Sequence, residues 1–326
     1  MTTKLAYLLK IFVSLALILI LLYFMRGNYE KTVSVLKGTD PGLFILALVV
    51  FGFAIIVASI RFQIIVGAQG DISVTLAEAL SFTLIGYFFN NFLPTSMGGD
   101  IVKAYYLSKK SSNKMECYTS VFVDRAMGLF TMIFMASIAL LFVQNQVIDA
   151  TVRSMIYGIT AVSVIALIFM ANRKFAKKFS LMLRLFKPLE EKLKRAYNSV
   201  HKYRYNLKLI WKSFGISIVS QILFFASIGI LAFSIGSFIP ASQILLRLPI
   251  ICAMSLLPSI NGLGLREGST VLLFGPIIGS ENAFAVSILW LLILFIVSIF
   301  GGIIYALSPQ FRFNLSEAND SAKEGI

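Results

Sequence analysis

From residue 283 to residue 307 the chain runs for 25 residues without a charged side chain. A helix of that length rises about 37 Å, more than the roughly 30 Å of hydrocarbon in a bilayer, so it is long enough to cross. Five other stretches read the same way, at about 6 to 25, 42 to 60, 118 to 143, 154 to 171 and 210 to 236. The runs are continuous rather than alternating, which excludes a membrane β-barrel and leaves the α-helix as the backbone that satisfies its own polar groups in lipid. Composition agrees: 58% of residues are hydrophobic and only 13% charged, against about 25% charged in soluble chains. The expectation is an all-α, polytopic helical membrane protein with about six full transmembrane helices. No small-residue cleavage site follows the first run at Phe24 and Met25, so that run is expected to stay as a helix.

The same composition narrows the chemistry. The single histidine, His201, lies in a basic hydrophilic stretch, and Cys117 and Cys252 stand far apart without metal-ligand spacing. No metal site, haem, Ser-His-Asp triad or disulfide is expected, and no cofactor. Net charge is +14, but residues 171 to 212 carry 13 of the 29 Lys and Arg against only Glu190 and Glu191. Cations gathered in one loop between apolar runs report orientation rather than nucleic-acid binding, so no nucleic-acid partner is expected and the basic loop 172–209 is placed in the cytoplasm. Counting outward puts both termini there as well. That count assigns 22 cations to cytoplasmic segments, Arg61 among them, four to outer loops (Arg26, Lys31, Lys37, Arg153) and three to the membrane (Arg125, Arg247, Arg266). Arg247 is long enough to snorkel outward and is given no role. Within the loop, Phe179, Leu181, Leu183, Leu185 and Phe186 interleave with Lys178, Arg184 and Lys187, a pattern suited to lying on an anionic lipid surface. Residues 1–307 read as one transmembrane domain and 308–326 as a polar cytoplasmic tail.

Two further apolar regions are broken. Residues 76 to 93 end in Asn90-Asn91-Phe92-Leu93-Pro94 and resume as a short helix near Gly98. A full crossing here would strand Lys103, Lys109, Lys110 and Lys114 outside, so charge placement favours a re-entrant hairpin open to the cytoplasm. Residues 241 to 257 run into Leu257-Pro258-Ser259-Ile260-Asn261-Gly262-Leu263-Gly264 and resume at Leu265, giving a second hairpin open to the outside. The breaks match at Leu-Pro, at a following hydroxyl and at Gly four residues after Pro, 164 residues apart. The crossings that precede them run in opposite directions. Paired Gly/Pro-interrupted segments in two halves of opposite sense are the sequence form of an inverted-topology repeat and point to a binding site at the breaks.

Irregular backbone in hydrocarbon survives only where protein, water or ligand satisfies it, so a cavity is expected at both breaks. Helix amino termini restarting near Gly98 and Gly262 attract anions, and Lys103 and Arg266 add full positive charge. Ionisable groups inside a membrane are costly unless paired or wet. Asp100, Glu267 and the pair Asp124 and Arg125 therefore join the candidate substrate-binding set, with charge pairing that merely fixes helix contacts as the alternative role. Asn90, Asn91 and Asn261 serve as caps or headgroup contacts, and Pro94, Gly98, Gly99, Pro258, Gly262 and Gly264 shape the breaks. Glu78, near the cytoplasmic entrance, is expected to be solvated.

Three ordered motifs, Asn91 to Lys103 (NFLPTSMGGDIVK), Asp124 to Gly128 (DRAMG) and Leu257 to Gly268 (LPSINGLGLREG), resemble those of the flippase-like family that includes the membrane domain of lysylphosphatidylglycerol synthase. The resemblance covers nearly the whole chain. It implies a domain in a bacterial or archaeal cell membrane that moves a phospholipid or lipid-linked headgroup between leaflets, with these motifs lining a central cavity. The bifunctional synthase carries a soluble aminoacyl transferase domain after its membrane domain. Here the chain ends at Ile326, so synthase activity is not expected and the protein reads as a lipid transporter rather than an enzyme. Two other readings stay open: a membrane-embedded lipid-modifying transferase using Asp100, Asp124 or Glu267, and an accessory subunit of a glycosyltransferase or aminoacyl transferase docked at the basic loop. No Walker A motif is present, so direct ATP drive is not expected.

Overall fold

A computed structural model describes residues 29–69, 72–91, 98–111, 113–142, 150–171, 206–257 and 262–308. Among them the regular structure is helical: α1 (Tyr29–Lys37), α2 (Pro41–Gly67), α3 (Leu76–Asn90), α4 (Gly98–Ser108), α5 (Lys114–Phe142), α6 (Ala150–Ala171), α7 (Leu207–Ser234), α8 (Ala241–Met254), α9 (Leu265–Ile278) and α10 (Ser280–Leu307). The run at 6 to 25, most of the basic loop, nearly all of the tail, and Pro94, Pro258 and Asn261 lie outside the described residues.

Among the described residues four helices are long and apolar enough to cross a membrane: α2, α5, α7 from Lys208, and α10. The stretch 154 to 171 falls within α6, which has 22 residues. The chain is an integral, all-helical membrane protein. Phe53, Phe142, Leu272 and Phe300 stand more than half exposed on its outside, as expected where the solvent is lipid rather than water.

Five helices extend past their expected limits, α2 and α5 among them. α2 begins at an Asp40 cap, whose carboxylate accepts from the Leu43 amide at 3.0 Å, and has Pro41 in its first turn. It then continues through Arg61 to Gly67. α5 starts at Lys114 rather than 118, which puts Asp124 ten residues inside it. A charge ends an apolar run in sequence, but Asp124 neutralises Arg61 within the bundle, so α2 does not stop there.

Helices α2 to α5 have 27, 15, 11 and 29 residues, and α7 to α10 have 28, 14, 14 and 28. The order long, short, short, long thus occurs twice, with α6 between. The halves exchange partners: α3 packs on α10, α8 packs on α5, and the leading helices α2 and α7 form the most extensive pair. Small residues permit the closest approaches. Gly99 lies so near Gly86 that a Cβ on it would stand 2.0 Å from the Gly86 carbonyl oxygen, and a Cβ on Gly301 would stand 2.0 Å from that of Leu84. Between α2 and α7, Ser220 Oγ donates to the Ala54 carbonyl at 3.0 Å.

One apolar core joins the halves through Phe51, Phe225, Leu246 and Trp290. A second, around Phe62, Phe82 and Tyr106, holds the α3–α4 hairpin against the ends of α2 and α5. Arg247 does not snorkel. It is buried, its Nε donating to Gln243 Oε1 at 2.8 Å and its Nη1 to the Leu273 carbonyl at 2.6 Å. That carbonyl belongs to α9, so the bond ties α8 to α9.

Candidate functional site

Three ionisable side chains from three helices meet in the interior. Arg61 of α2, Lys103 of α4 and Asp124 of α5 are each at most 7% exposed. Arg61 Nε donates to Asp124 Oδ1 at 2.8 Å, and Lys103 Nζ reaches Asp124 Oδ2 at 3.3 Å. One carboxylate therefore holds two cations, an arrangement with short charge-assisted bonds. Arg61 Nη1 also donates to Ser217 Oγ of α7 at 3.0 Å, and the Lys103 ammonium lies 3.5 Å from the centre of the Phe62 ring.

Gly128 explains how the guanidinium fits. It lies one helical turn beyond Asp124, on the same face, and a Cβ there would come within 3.2 Å of Arg61 Nη1 and 3.4 Å of Nη2. The spacing from Asp124 to Gly128 thus supplies a counter-charge and an adjoining bare patch. Gln221 of α7 closes the arrangement, its Nε2 donating to the Gly128 carbonyl at 3.1 Å.

Asp100 and Arg125 form a second ion pair beside the first, both partly exposed. Lys103 interacts electrostatically with Asp100 as well as with Asp124 and Arg61. The structure thus brings together Asp100, Lys103, Asp124 and Arg125, as expected, and adds Arg61. Asp124 lies ten residues into α5.

The asparagines act as ties. Asn90 Oδ1 accepts from the Gly99 amide at 2.7 Å, joining the end of α3 to the start of α4. Asn91 Nδ2 donates to Ser298 Oγ of α10 at 2.7 Å. Gly98 and Gly99 are buried at the start of α4.

In the second half, α9 starts at Leu265, after Gly262 and Gly264, which have φ of +74° and +81°. Such angles lie in the left-handed region where glycine carries no Cβ penalty. Glu267 folds back so that Oε2 accepts from the Gly264 amide at 2.6 Å, while Oε1 accepts from Arg266 Nε at 3.1 Å and Nη2 at 2.5 Å. The expected anion-attracting amides of this terminus are therefore partly taken by the chain's own carboxylate. The Arg266 guanidinium stands 5.3 Å from the centre of the Trp290 ring. Among the described residues the buried Trp290 indole N–H has no hydrogen-bond partner.

Tyr87 of α3 lies within electrostatic reach of Asp100, Arg125, Arg61 and Cys252, and Cys252 of α8 within reach of Arg266. On the outside, α2, α3 and α10 enclose an apolar groove of about 460 Å³ lined by residues such as Gly52, Phe53, Leu84, Val297 and Phe300. Glu78 is less solvated than expected. In the first turn of α3, outside the four long helices, it forms a capping box with Thr75 and an ion pair with Lys110. The Lys110 ammonium, followed by the Thr75 amide, holds its carboxyl below the usual carboxylate range. Among the described residues no group of three His, Cys, Asp or Glu could hold a metal ion.

Arg61 and Trp290 were not singled out in the sequence. Arg61 follows directly on an apolar run, the position of an ordinary interface anchor, and Trp290 sits inside one. Comparison with known proteins finds a relative in Methanothermobacter thermautotrophicus, described as a UPF0104 membrane protein, that is 25% identical over 307 aligned positions covering 86% of this chain and 89% of its own. The family model described as the lysylphosphatidylglycerol synthase TM region matches residues 8–302. With that match running through both breaks and every helix of the buried charge cluster, the chain belongs to this family.

Proposed function

We propose that the protein moves a phospholipid or a lipid-linked anionic headgroup between the leaflets of a cell membrane without changing it covalently. The observation that carries this reading is the set of charged side chains buried inside the bundle by both halves of the chain, Arg61, Lys103 and Asp124 in the first and Arg247, Arg266 and Glu267 in the second. Burying charged groups costs several kcal/mol per ion before pairing, and a headgroup crossing hydrocarbon faces the same penalty. Polar partners already fixed inside the bundle lower that barrier, while the lipid tails stay in the bilayer along apolar surfaces such as the α2, α3 and α10 groove.

The arrangement that goes with this function has six crossings and two re-entrant hairpins, α3 with α4 and α8 with α9, in an inverted repeat with both termini in the cytoplasm. The repeated order of helix lengths and the exchanged contacts between halves support it. In this reading Asp100, Lys103, Asp124, Arg125, Arg266 and Glu267 face the headgroup. The basic loop lies on anionic lipid and is the place where an enzyme partner would dock.

Reconstitution into liposomes tests the proposal. Headgroup-labelled lipid should change leaflet with its mass unaltered, and Asp100→Ala or Arg266→Ala in folded protein should slow it at least tenfold. A covalently altered lipid would make the protein an enzyme, and no exchange at all would leave it an accessory subunit. Normal exchange by both variants would move the site elsewhere.

A further inference from the structure

Asp124 and Trp290 hold matching places in the two halves of the chain, each ten residues into the long helix that closes its half, α5 and α10. Each meets a cation from the short helix before it. Lys103 of α4 lies on the Asp124 carboxylate, and the Arg266 guanidinium of α9 lies over the Trp290 ring at 5.3 Å. The first place thus carries an acceptor and the second a donor, since an indole offers only its N–H.

Trp290 and Arg266 are 5% and 3% exposed. The indole ring packs on Phe224, with centroids 5.6 Å apart, and among the described residues its N–H has no hydrogen-bond partner. A guanidinium carries five N–H donors. Arg266 donates from Nε and Nη2, in both cases to Glu267 Oε1, so among the described residues its remaining donors have no acceptor either. Buried donors are nearly always paired, and an open one is expensive. Phenylalanine would fill the same apolar place without that cost.

The charge at this place is already answered. Glu267 Oε1 faces the guanidinium, while Oε2 accepts from the Gly264 amide at 2.6 Å and so occupies the start of α9 as well. An arriving anion would set a second negative charge beside the carboxylate, in a medium of low dielectric. A neutral oxygen meets no such penalty. It can accept from the open N–H groups, and a hydroxyl can in addition donate to Glu267.

We propose that Trp290, Arg266 and Glu267 form a site for uncharged hydroxyl groups, and that these belong to a polyol or sugar portion of the lipid headgroup. This rests on the translocation reading and adds the class of headgroup that the second half reads.

The chain has two tryptophans, Trp211 and Trp290, and Trp211 is 69% exposed on α7, so in Trp211→Phe the emission comes from Trp290 alone. The full chain in phosphatidylcholine nanodiscs is titrated with three lipids: phosphatidylglycerol, which brings charge and hydroxyls; phosphatidylpropanol, charge alone; and glucosyl-diacylglycerol, hydroxyls alone. The two hydroxyl-bearing lipids should move the emission to the red as the indole N–H gains an acceptor, and phosphatidylpropanol should not. In liposomes, phosphatidylglycerol should change leaflet about fivefold faster than phosphatidylpropanol, the worth of one hydrogen bond to a neutral acceptor. Trp290→Phe should erase that advantage. The emission measurement keeps Trp290 in place, so it decides the matter even where Trp290→Phe does not fold. A shift with the two charged lipids only would make this an anion site and overturn the proposal. No shift with any of the three would overturn it too, leaving the N–H to packing or to a buried water. An equal shift from free glycerol at the same concentration would overturn the headgroup assignment and make the ligand a soluble polyol. Leaflet exchange with neither shift nor hydroxyl preference would refute this site and leave translocation standing, and a hydroxyl-dependent shift without exchange would do the reverse.

Discussion

Replacing Gly99 by alanine isolates the contact that closes the first hairpin. A Cβ at this position would stand 2.0 Å from the Gly86 carbonyl oxygen and 2.9 Å from Asn90 Oδ1, whereas ordinary contact begins near 3.4 Å. The nearer clash involves backbone atoms, so no rotamer change relieves it, and α3 and α4 must part by more than an ångström. Overpacking of this kind costs about 1–3 kcal/mol or more. The bond from the Gly99 amide to Asn90, 2.7 Å long, is strained in the same movement and adds about 1 kcal/mol. Against this stands the greater helix propensity of alanine, at most about 1 kcal/mol. The net expectation is a loss of about 1–3 kcal/mol. At roughly 2 °C per kcal/mol for a chain of this size, thermal unfolding in detergent should begin about 2–6 °C lower.

Gly52→Ala is the internal control. It lies within α2, and among the described residues a Cβ there meets nothing within 4 Å, so the propensity gain applies and its melting temperature should hold or rise slightly. Gly301→Ala, with a Cβ 2.0 Å from the Leu84 carbonyl oxygen, should fall with Gly99→Ala. If Gly99→Ala and Gly301→Ala melted with Gly52→Ala, the close approaches that join α3 to α4 and α10 would not govern stability, and the reasoning would fail.

Three further outcomes are expected. Asp124→Leu strips both cations of their shared partner and should cost about 3–5 kcal/mol, whereas Arg61→Met, which leaves Asp124 on Lys103, should cost less; equal melting of the two variants would argue against the shared carboxylate. Trp290→Phe removes a buried indole N–H that has no partner while keeping an aromatic face for Arg266, so thermal stability should change by less than about 1 kcal/mol; a larger loss would show that the N–H is satisfied in the folded protein. Glu78, whose carboxyl is held low by Lys110 and Thr75, binds its proton more readily unfolded than folded. It therefore adds stability above its ordinary titration range and loses it as pH falls through the depressed value. The half-exposed setting limits this to under about 1 kcal/mol, and Glu78→Gln should flatten the part of the melting profile between neutral pH and pH 3 that the wild type owes to this group.

The helices were legible because apolar length is a local property. Single Pro or Gly residues, such as Pro276 in α9 or Gly128 in α5, do not end a helix, but at Asn90 and before Leu265 they cluster within a few residues, and those ends were legible too. The exact partners of the charges were not, because they are set by residues far away in sequence: 63 positions separate Arg61 from Asp124, and 26 separate Arg247 from Leu273. In both cases a cation beside or within an apolar run looks like an interface anchor until the opposite helix is known. Yet one constraint within α5 does point beyond the helix. Asp124 and Arg125 are adjacent, and adjacent residues on a helix project about 100° apart, so they do not face each other. Arg125 accordingly pairs with Asp100 of α4. Arg266 and Glu267 escape the same rule because Glu267, in the first turn, folds back over the helix start to the Gly264 amide. Asp124 sits mid-helix and has no such route, while four residues on, along its own face, Gly128 leaves a space with no side chain. A carboxylate that cannot use its neighbour, beside a vacancy one turn away, requires a large planar cation from another helix. Arg61 is the residue that meets both conditions, and the interior charge follows from its arrival.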